Sequence, residues 1–225
     1  MIKNTITLIA LFLFSACLFG QEISKDVGDY NELKVYDLIE VNLIQSSENK
    51  VVIKGDDTQD VVIVNKDGTL KIRMATDKIF QGENTYIEVY FKEISVLDAN
   101  EGARIIGNHM ISQTRIELRA QEGGIINVGL EVDHTKIKAV TGGIVKASGL
   151  SKTQDIKLTT GGIFEGRDLK TLETTIGVTA AGEADINASE KVDVKVTAGG
   201  DVYIYGNPKT INEKTFAGGR VKKMN

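Results

Sequence analysis

Five basic residues recur in the second half of the sequence at multiples of 19 positions: Arg119, Lys138, Lys157, Lys195 and Lys214. We call this set the basic row. Each member is followed two positions later by an uncharged residue: Gln121, Val140, Thr159, Thr197 and Phe216. Tyr203 is expected to project near the row at the C-terminal end of the chain. A regular spacing of this kind predicts that the row lies on one outward face.

A flat basic face could bind the carboxylates or sulfates of an acidic glycan, because clustered positive charge attracts polyanions. The alternative is an ordinary solvated face. Glu117, Asp155 and Asp193 stand two positions before Arg119, Lys157 and Lys195, where they could neutralise the row. Both interpretations are compatible with the sequence.

Residues suited to catalysis or metal binding are sparse. Enzymes that cleave polysaccharides need clustered carboxylates, or a calcium site with a basic residue, on one face. The adjacent acidic pair Asp56-Asp57 lies between two strand patterns and predicts a solvated turn. His109 and His134 share no metal-ligand spacing with another histidine, cysteine or carboxylate, so we expect surface positions for both. No catalytic residue, metal ligand or cofactor site is predicted.

The interval of the basic row belongs to a longer repeat. VTGGIVKASGL at 140–150 is followed by TTGGIFEGRDL at 159–169, each with a glycine pair between alternating apolar residues. We call the first residue of each pair the anchor; the anchors are Gly102, Gly123, Gly142, Gly161, Ala181, Gly199 and Gly218. Their spacing, 18 to 21 residues, is typical of a solenoid in which each repeat forms one coil.

Apolar residues alternate with polar ones on both sides of each anchor. Leu97, Leu118, Ile137, Ile156, Ile176 and Val194 stand five positions before successive anchors. A spacing of two is strand alternation with one face buried. A leucine-rich repeat would show a frame of Leu and Asn residues and a helical half, and calcium-binding nonapeptide coils would show a glycine-aspartate pattern; the sequence has neither. It therefore predicts an all-β fold, a right-handed parallel β-helix of 19–20 residues per coil.

The glycine pairs mark the corner between two strand segments. A sharp corner requires either positive φ or a close backbone approach, and glycine permits both. Since Ala181 replaces glycine at one anchor, we expect the second position, as in Gly143, Gly162 and Gly182, to tolerate substitution less.

The two ends of the array depart from the repeat. In the last coil Glu213, Thr215 and Lys223 occupy positions that are apolar in almost every earlier coil, and inward charges of this kind protect an open sheet edge from pairing with another chain. Residues 25–94 are rich in strand patterns but lack the glycine pair, and VVIVNKDGTLKIRM predicts a hairpin at Asp67-Gly68. This section could be a cap or a set of less regular first coils.

The first twenty residues, MIKNTITLIALFLFSACLFG, predict a secretory signal peptide, with cleavage before Gln21. FSAC at Cys17 offers lipidation as the alternative, although Phe14 departs from the usual lipoprotein pattern. We expect residues 21–225 to form a single domain, with irregular coils or a cap over 25–94 and regular coils over 95–223. Lys3 is the only charged residue of the predicted signal peptide, so the remaining chain has 26 basic and 31 acidic residues. This mild acidic excess disfavours nucleic acid as a partner.

GGIIN at 123–127, GGIV at 142–145 and GGIF at 161–164 resemble the bacterial family of the putative auto-transporter adhesin, head GIN domain. DYNELKVYDLIEVNLIQ near the start, GTLKIRM, and GNPKTINEKTFAGG near the end are also similar to that family, so that the resemblance covers about residues 27–223. It implies a right-handed β-helix like that of pectin lyases without their catalytic residues, in the envelope of a Bacteroidetes-like bacterium, and a suggested role in adhesion.

These observations favour an exported, non-enzymatic β-helix that acts as an adhesin-like binding module, with the basic row and Tyr203 as its binding residues and an acidic glycan or cell-surface component as its partner. The alternatives are a carbohydrate-active enzyme acting on acidic polysaccharide and a purely structural envelope component.

Overall fold

The computed structural model describes residues 22–224, which contain 16 β-strands and two short 3-10 helices. The N-terminal elements are β1 (Ile23–Asp26), β2 (Glu32–Val35), β3 (Glu40–Gln45), β4 (Lys50–Gly55), a helix at Thr58–Asp60, β5 (Val61–Lys66), β6 (Thr69–Met74), a helix at Thr76–Lys78, β7 (Thr85–Phe91) and β8 (Val96–Ala99). The predicted signal peptide and Cys17 lie outside the described residues. Neither helix within 22–224 is long and apolar enough to cross a membrane.

The repeated part of the chain forms eight further strands: β9 (Arg104–Gln121), β10 (Ile125–Val140), β11 (Ile144–Thr159), β12 (Ile163–Thr179), β13 (Glu183–Val196), β14 (Asp201–Tyr205), β15 (Thr210–Thr215) and β16 (Arg220–Lys223). Strands β9 to β13 stack in parallel in chain order, and the last coil is added through β15 on β13 and β16 on β14. The predicted all-β solenoid is confirmed, with about seven coils.

Equivalent residues of successive coils pair directly and form columns. Ile137 pairs with Ile156, Ile156 with Ile176, and Ile176 with Val194. Ile176 is only 1 % exposed, whereas its neighbour Thr175 lies on the surface. The apolar columns therefore form one continuous core, in which each fully buried aliphatic side chain contributes about 1.5–3 kcal/mol relative to exposure.

Each glycine pair closes a two-residue turn, and its two positions serve different purposes. In the turn at Gln121–Gly124, Glu122 (φ 51°) and Gly123 (φ 74°) are both left-handed, and the Gly124 N–H donates to the Gln121 carbonyl at 2.8 Å. This is the geometry of a type I′ turn. The first glycine thus supplies positive φ, which Ala181 also adopts at 61°.

The second glycine supplies room for the neighbouring coil. At Gly143 a Cβ atom would lie 2.1 Å from the Ala120 carbonyl oxygen, and at Gly162 it would lie 2.0 Å from that of Ala139, although neither residue has positive φ. Both reasons considered for the glycines therefore apply, at separate positions in these turns, whereas Gly200 (φ 110°) and Gly219 (φ 112°) in the last two turns combine positive φ with close packing. Close packing makes the second position the more demanding one.

A second corner lies between consecutive glycine pairs, and its interior is polar. Val132 and Thr135 are both buried, while the two residues between them face outward. Buried hydroxyls and amides join the coils at this corner: Thr135 donates to Ser151 at 2.9 Å, and Gln154 donates to Thr174 at 2.8 Å. These hydrogen bonds offset part of the desolvation penalty of burying the side chains, while the buried Gln154 Oε1 has no hydrogen-bond partner within residues 22–224.

The N-terminal section combines coils with antiparallel strands. Strands β2 and β3 pair in parallel with β8 and β9, and β6 and β7 add a further layer beyond them. That layer is followed by antiparallel β5 on β6, as the predicted hairpin requires, and by β4 on β7 and β1 on β4. The first coil in the chain is consequently not the first in space.

At the C-terminal end the predicted inward charges take their places in the core columns. Glu213 pairs with Val194, Thr215 with Val196, and Lys223 with Ile204. All three end-coil residues are exposed. The apolar columns are thus terminated by polar side chains.

Candidate functional site

The structure brings the basic row together as one column on the strand segments that precede the glycine turns. Arg119 pairs with Lys138 and Lys138 with Lys157; Gly177 then interrupts the column before Lys195, which pairs with Lys214. Paired residues of adjacent strands lie about 4.8 Å apart, so the side chains form a stripe with one gap, at Gly177. Lys34 and Asp98 extend the same column toward the N-terminal end.

The N-terminal half of the basic row is neutralised. Arg119 contacts Glu117 at 2.9 Å and Glu32 at 3.1 Å, and Lys138 contacts the same Glu117 at 3.0 Å. Lys136 also reaches Glu117, at 3.4 Å. The solvated-face interpretation therefore holds for Arg119 and Lys138, whose charges are already satisfied by acids within the protein.

The pKa of Glu117 reflects this arrangement. Partial burial of the carboxyl group acts to raise its pKa, but hydrogen bonds from Arg119 and Lys138 and their positive charges outweigh burial and bring the pKa down to about 2. A carboxylate that accepts charged hydrogen bonds is held in its ionised form. Glu117 is thus the central acid of the cluster, which it forms with Arg119, Lys136 and Lys138.

The C-terminal half of the basic row carries free charge. Lys157, Lys195 and Lys214 are exposed, and none of them forms an ion pair within residues 22–224. Asp193, the acid expected to neutralise Lys195, is instead 2.6 Å from Lys191 and accepts a hydrogen bond from Asn212 at 2.7 Å. These three ammonium groups remain available to an external anion.

Tyr203 does not lie with the basic row. It is part of β14, on the strand segment that follows the turn, where it pairs with Asp185 and Lys222. Phe216, in contrast, is 75 % exposed and lies two residues from Lys214. Phe216 is therefore the exposed aromatic residue near the row. The sequence indicated this position, because Phe216 stands two residues after Lys214 in the column of uncharged residues beside the row.

An apolar groove, which was not predicted from the sequence, runs along the second corner. It has a volume of about 740 Å³ and is lined by residues of the five strands β9 to β13 and by Gly206, among them the exposed Leu150 (53 %) and Leu172 (49 %). Lys152 and Asp133 form an ion pair of 2.6 Å at its side. The sequence signal for the groove was the presence of leucines at outward positions of the strands. The repeat pattern obscured this signal, because the alternation of inward and outward residues changes phase at this corner.

The residues considered for catalysis are dispersed. Asp56 and Asp57 lie in the turn between β4 and the first 3-10 helix, as predicted. His109 and His134 are both exposed, as predicted, although they lie within strands; His134 Nδ1 is 2.7 Å from Thr153 Oγ1. Within residues 22–224, no group of three or more histidine, cysteine, aspartate or glutamate side chains is placed to hold a metal ion.

A comparison with protein families identifies the repeat. The sequence model described as "putative auto-transporter adhesin, head GIN domain" matches residues 29–208. The chain belongs to this family. The match spans β2 to β14 and so includes the antiparallel strands β4 and β5 as well as the regular coils before the last one.

Solved structures share the fold of this head GIN domain at low sequence identity. A putative adhesin of Bacteroides fragilis has a TM-score of 0.84 and 16 % identity, with 92 % of this chain and 98 % of that chain covered. A putative adhesin of Parabacteroides merdae has a TM-score of 0.66 and 17 % identity (91 % and 96 % covered). A putative lipid binding protein of Parabacteroides distasonis has a TM-score of 0.69 and 15 % identity (93 % and 98 % covered). A search of curated proteins found no match.

Proposed function

We propose that this head GIN domain is a non-enzymatic, adhesin-like module that binds an acidic glycan through the C-terminal half of the basic row. The observation that carries the proposal is the stripe formed by Lys157, Lys195 and Lys214, which are exposed, in register and without an ion-pair partner among the described residues. The putative adhesins among the structural neighbours support the same role.

The affinity of such a face would come from many weak contacts. An exposed ammonium–carboxylate or ammonium–sulfate pair contributes at most about 1 kcal/mol. A polymer that touches several coils at once gains by multivalency, whereas a monosaccharide does not. Because exposed charges are screened by salt, binding should weaken steeply between low and physiological ionic strength.

The test compares the parent with the variant Lys157→Gln/Lys195→Gln/Lys214→Gln on uronic-acid and sulfated glycans at low and moderate salt. A matched control, Lys25→Gln/Lys66→Gln/Lys222→Gln, removes the same charge from exposed lysines that lie outside the row. The first variant should lose most of its binding and the control should retain it. Equal binding by all three proteins would refute the proposal, and release of reducing ends from uronate polysaccharide would show an enzyme instead.

A second candidate function is the binding of an apolar ligand in the corner groove. Exposed Leu150 and Leu172 line a concave surface, and one structural neighbour is described as a putative lipid binding protein. Leu150→Gln/Leu172→Gln should then abolish binding of a fluorescent fatty acid without affecting glycan binding. Unchanged fatty-acid binding by the double variant would exclude the groove.

We also propose that the chain is exported, because its first twenty residues have the pattern of a signal peptide. The mass of the mature protein distinguishes the two forms of export. Cleavage before Gln21 leaves an unmodified chain, whereas lipidation would leave a chain that starts at an acylated Cys17.

A further inference from the structure

Gly177 interrupts the basic row at the centre of its free half. It pairs with Lys157 on one side and Lys195 on the other, at the position that carries a basic side chain in the neighbouring coils. The two lysines are consequently separated by two strand spacings, about 10 Å, with only backbone between them. The result is a notch in the basic row.

The fold does not require glycine at this position. Gly177 lacks positive φ, and a Cβ atom added to it would meet nothing within 4 Å. Every other glycine within residues 22–224 has positive φ or a heavy atom within 4 Å of its Cβ position. Since glycine in a strand interior weakens the strand, a strand glycine without a structural reason indicates that another molecule approaches the backbone closely.

The notch is surrounded by groups that bind polar ligands. Thr175 and Thr179 are exposed on the same strand, each two residues from Gly177, so they face outward beside it. Asp155 pairs with Thr175, and both residues line a surface depression of about 600 Å³ whose edge, at Thr175, lies two residues from Gly177. The ammonium groups of Lys157 and Lys195 therefore lie on the two sides of the notch along the solenoid axis. Threonine hydroxyls lie before and after it on its own strand, and the Asp155 carboxylate lies on the adjacent strand.

This mixture of groups selects among anionic ligands. A sugar hydroxyl both donates and accepts hydrogen bonds, so it can bind a threonine hydroxyl and a carboxylate such as Asp155. A polyphosphate chain only accepts hydrogen bonds, and its charge would be repelled by Asp155. An acidic sugar residue satisfies both sets of groups, with its carboxylate or sulfate between the lysines.

We propose that the notch at Gly177 is a saccharide subsite, in which one uronic-acid or sulfated sugar residue lies on the backbone of Gly177 with its acidic group between Lys157 and Lys195. This inference rests on the proposed function and specifies where on the basic row the glycan is recognised. It requires space at Gly177 as well as positive charge around it.

The decisive variant is Gly177→Lys, because charge and space then make opposite predictions. If the row attracts polyanions by charge alone, the added lysine increases affinity. If the notch is a subsite, the side chain fills it, and affinity for uronic-acid and sulfated oligosaccharides falls by about tenfold or more. Gly177→Thr fills the notch without added charge and should reduce affinity similarly, while Gly177→Ala should change it by no more than about twofold.

The measurements are binding titrations of the full chain with uronic-acid and sulfated oligosaccharides and with inorganic polyphosphate, together with thermal melts to establish that each variant folds. We expect Gly177→Lys to weaken oligosaccharide binding and to leave polyphosphate binding unchanged or stronger. Stronger oligosaccharide binding by Gly177→Lys, or unchanged binding by Gly177→Thr, would overturn the subsite. If the triple lysine variant loses binding in that case, the proposed function stands without the subsite; if it also binds normally, both fail.

Discussion

Arg119 Nε lies 2.9 Å from Glu117 Oε1, and the same carboxylate is 3.0 Å from Lys138 Nζ on the next coil. Arg119 also contacts Glu32 of β2, so the cluster joins side chains from three coils of the solenoid. The cluster is only partly exposed, so its ion pairs are screened less than those at the surface. It thereby links the irregular first coils to the regular ones.

We expect this cluster to make stability depend on pH in the acidic range. The folded pKa of Glu117, about 2, lies below the ordinary value of 4.5, so its contribution is fully present above pH 4.5 and is lost as the pH falls toward 2. Allowing for solvent screening, Glu117→Gln should reduce the free energy of unfolding by about 1–2 kcal/mol at pH 7 and by less at pH 3. Urea titrations at the two pH values measure the difference, and an equal loss at both would contradict the assignment.

The core column provides a second prediction. Ile176 is buried between Ile156 and Val194, so truncation to alanine should reduce the free energy of unfolding by about 2–4 kcal/mol. Thr175→Ala, at the outward neighbour, should change it by less than about 0.5 kcal/mol. Chemical denaturation of both variants gives the comparison. Similar losses at the two positions would mean that the inward and outward faces are wrongly assigned.

The two positions of the glycine pair should differ in their tolerance of alanine. Gly142→Ala introduces a side chain at positive φ with nothing within 4 Å, and should cost about 1–2 kcal/mol. Gly143→Ala places Cβ 2.1 Å from the Ala120 carbonyl oxygen, so we expect a loss at or above the upper end of the 1–3 kcal/mol that is roughly typical of overpacking. Thermal and urea unfolding of the pair test this order. A larger loss for Gly142→Ala would show that backbone conformation governs the turn.

The repeat made the regular coils predictable because each coil restates the same constraints. Residues five positions before the anchors pair as expected, and Glu213 ends their column. The N-terminal layers were not predictable in the same way, since the chain places β6 and β7 beyond β2 and β3 rather than following sequence order. Leu38, at φ 64°, takes the anchor position in the first coil, where a glycine search cannot find it.

The candidate site was predictable as a column and not as a set of charges. Spacing alone places Arg119 and Lys195 in equivalent positions, but whether each is free depends on where nearby acids direct their side chains. Glu117 turns toward Arg119, whereas Asp193 contacts Lys191. Tyr203 lies on the strand that follows the glycine turn, whereas the basic row lies on the strands that precede it. The face that Tyr203 occupies could be assigned only once the direction of that strand was known.

We expect the two halves of the basic row to contribute unequally to glycan binding. Lys138 is held by Glu117, so Lys138→Gln removes a charge that is already neutralised and should change affinity by no more than about twofold. Lys195→Gln removes a free charge and should weaken binding by about threefold to fivefold, within the contribution of one exposed ion pair. Titration of both variants with the same sulfated oligosaccharide decides the matter. A larger effect at Lys138 would move the site to the N-terminal half.

The final prediction concerns the end of the solenoid. Strand β15 pairs with β13 and, within the described residues, has no partner on its other side, so its backbone groups form an open edge. Such an edge recruits other chains unless charges interrupt the apolar columns that a partner would extend. Glu213 occupies that position below Val194, and the Thr215 hydroxyl donates to its carboxylate at 3.1 Å.

Glu213→Val continues the apolar column to the edge and should therefore promote self-association, even though the isolated chain loses no core contact. Glu173→Val makes the same chemical change at an exposed position within the array and serves as the control. Sedimentation velocity over a range of concentrations should show larger species for Glu213→Val than for the parent or the control. If all three proteins sediment alike, the exposed edge is protected by its backbone geometry or short length, and the inward charge is not what keeps copies of the solenoid apart.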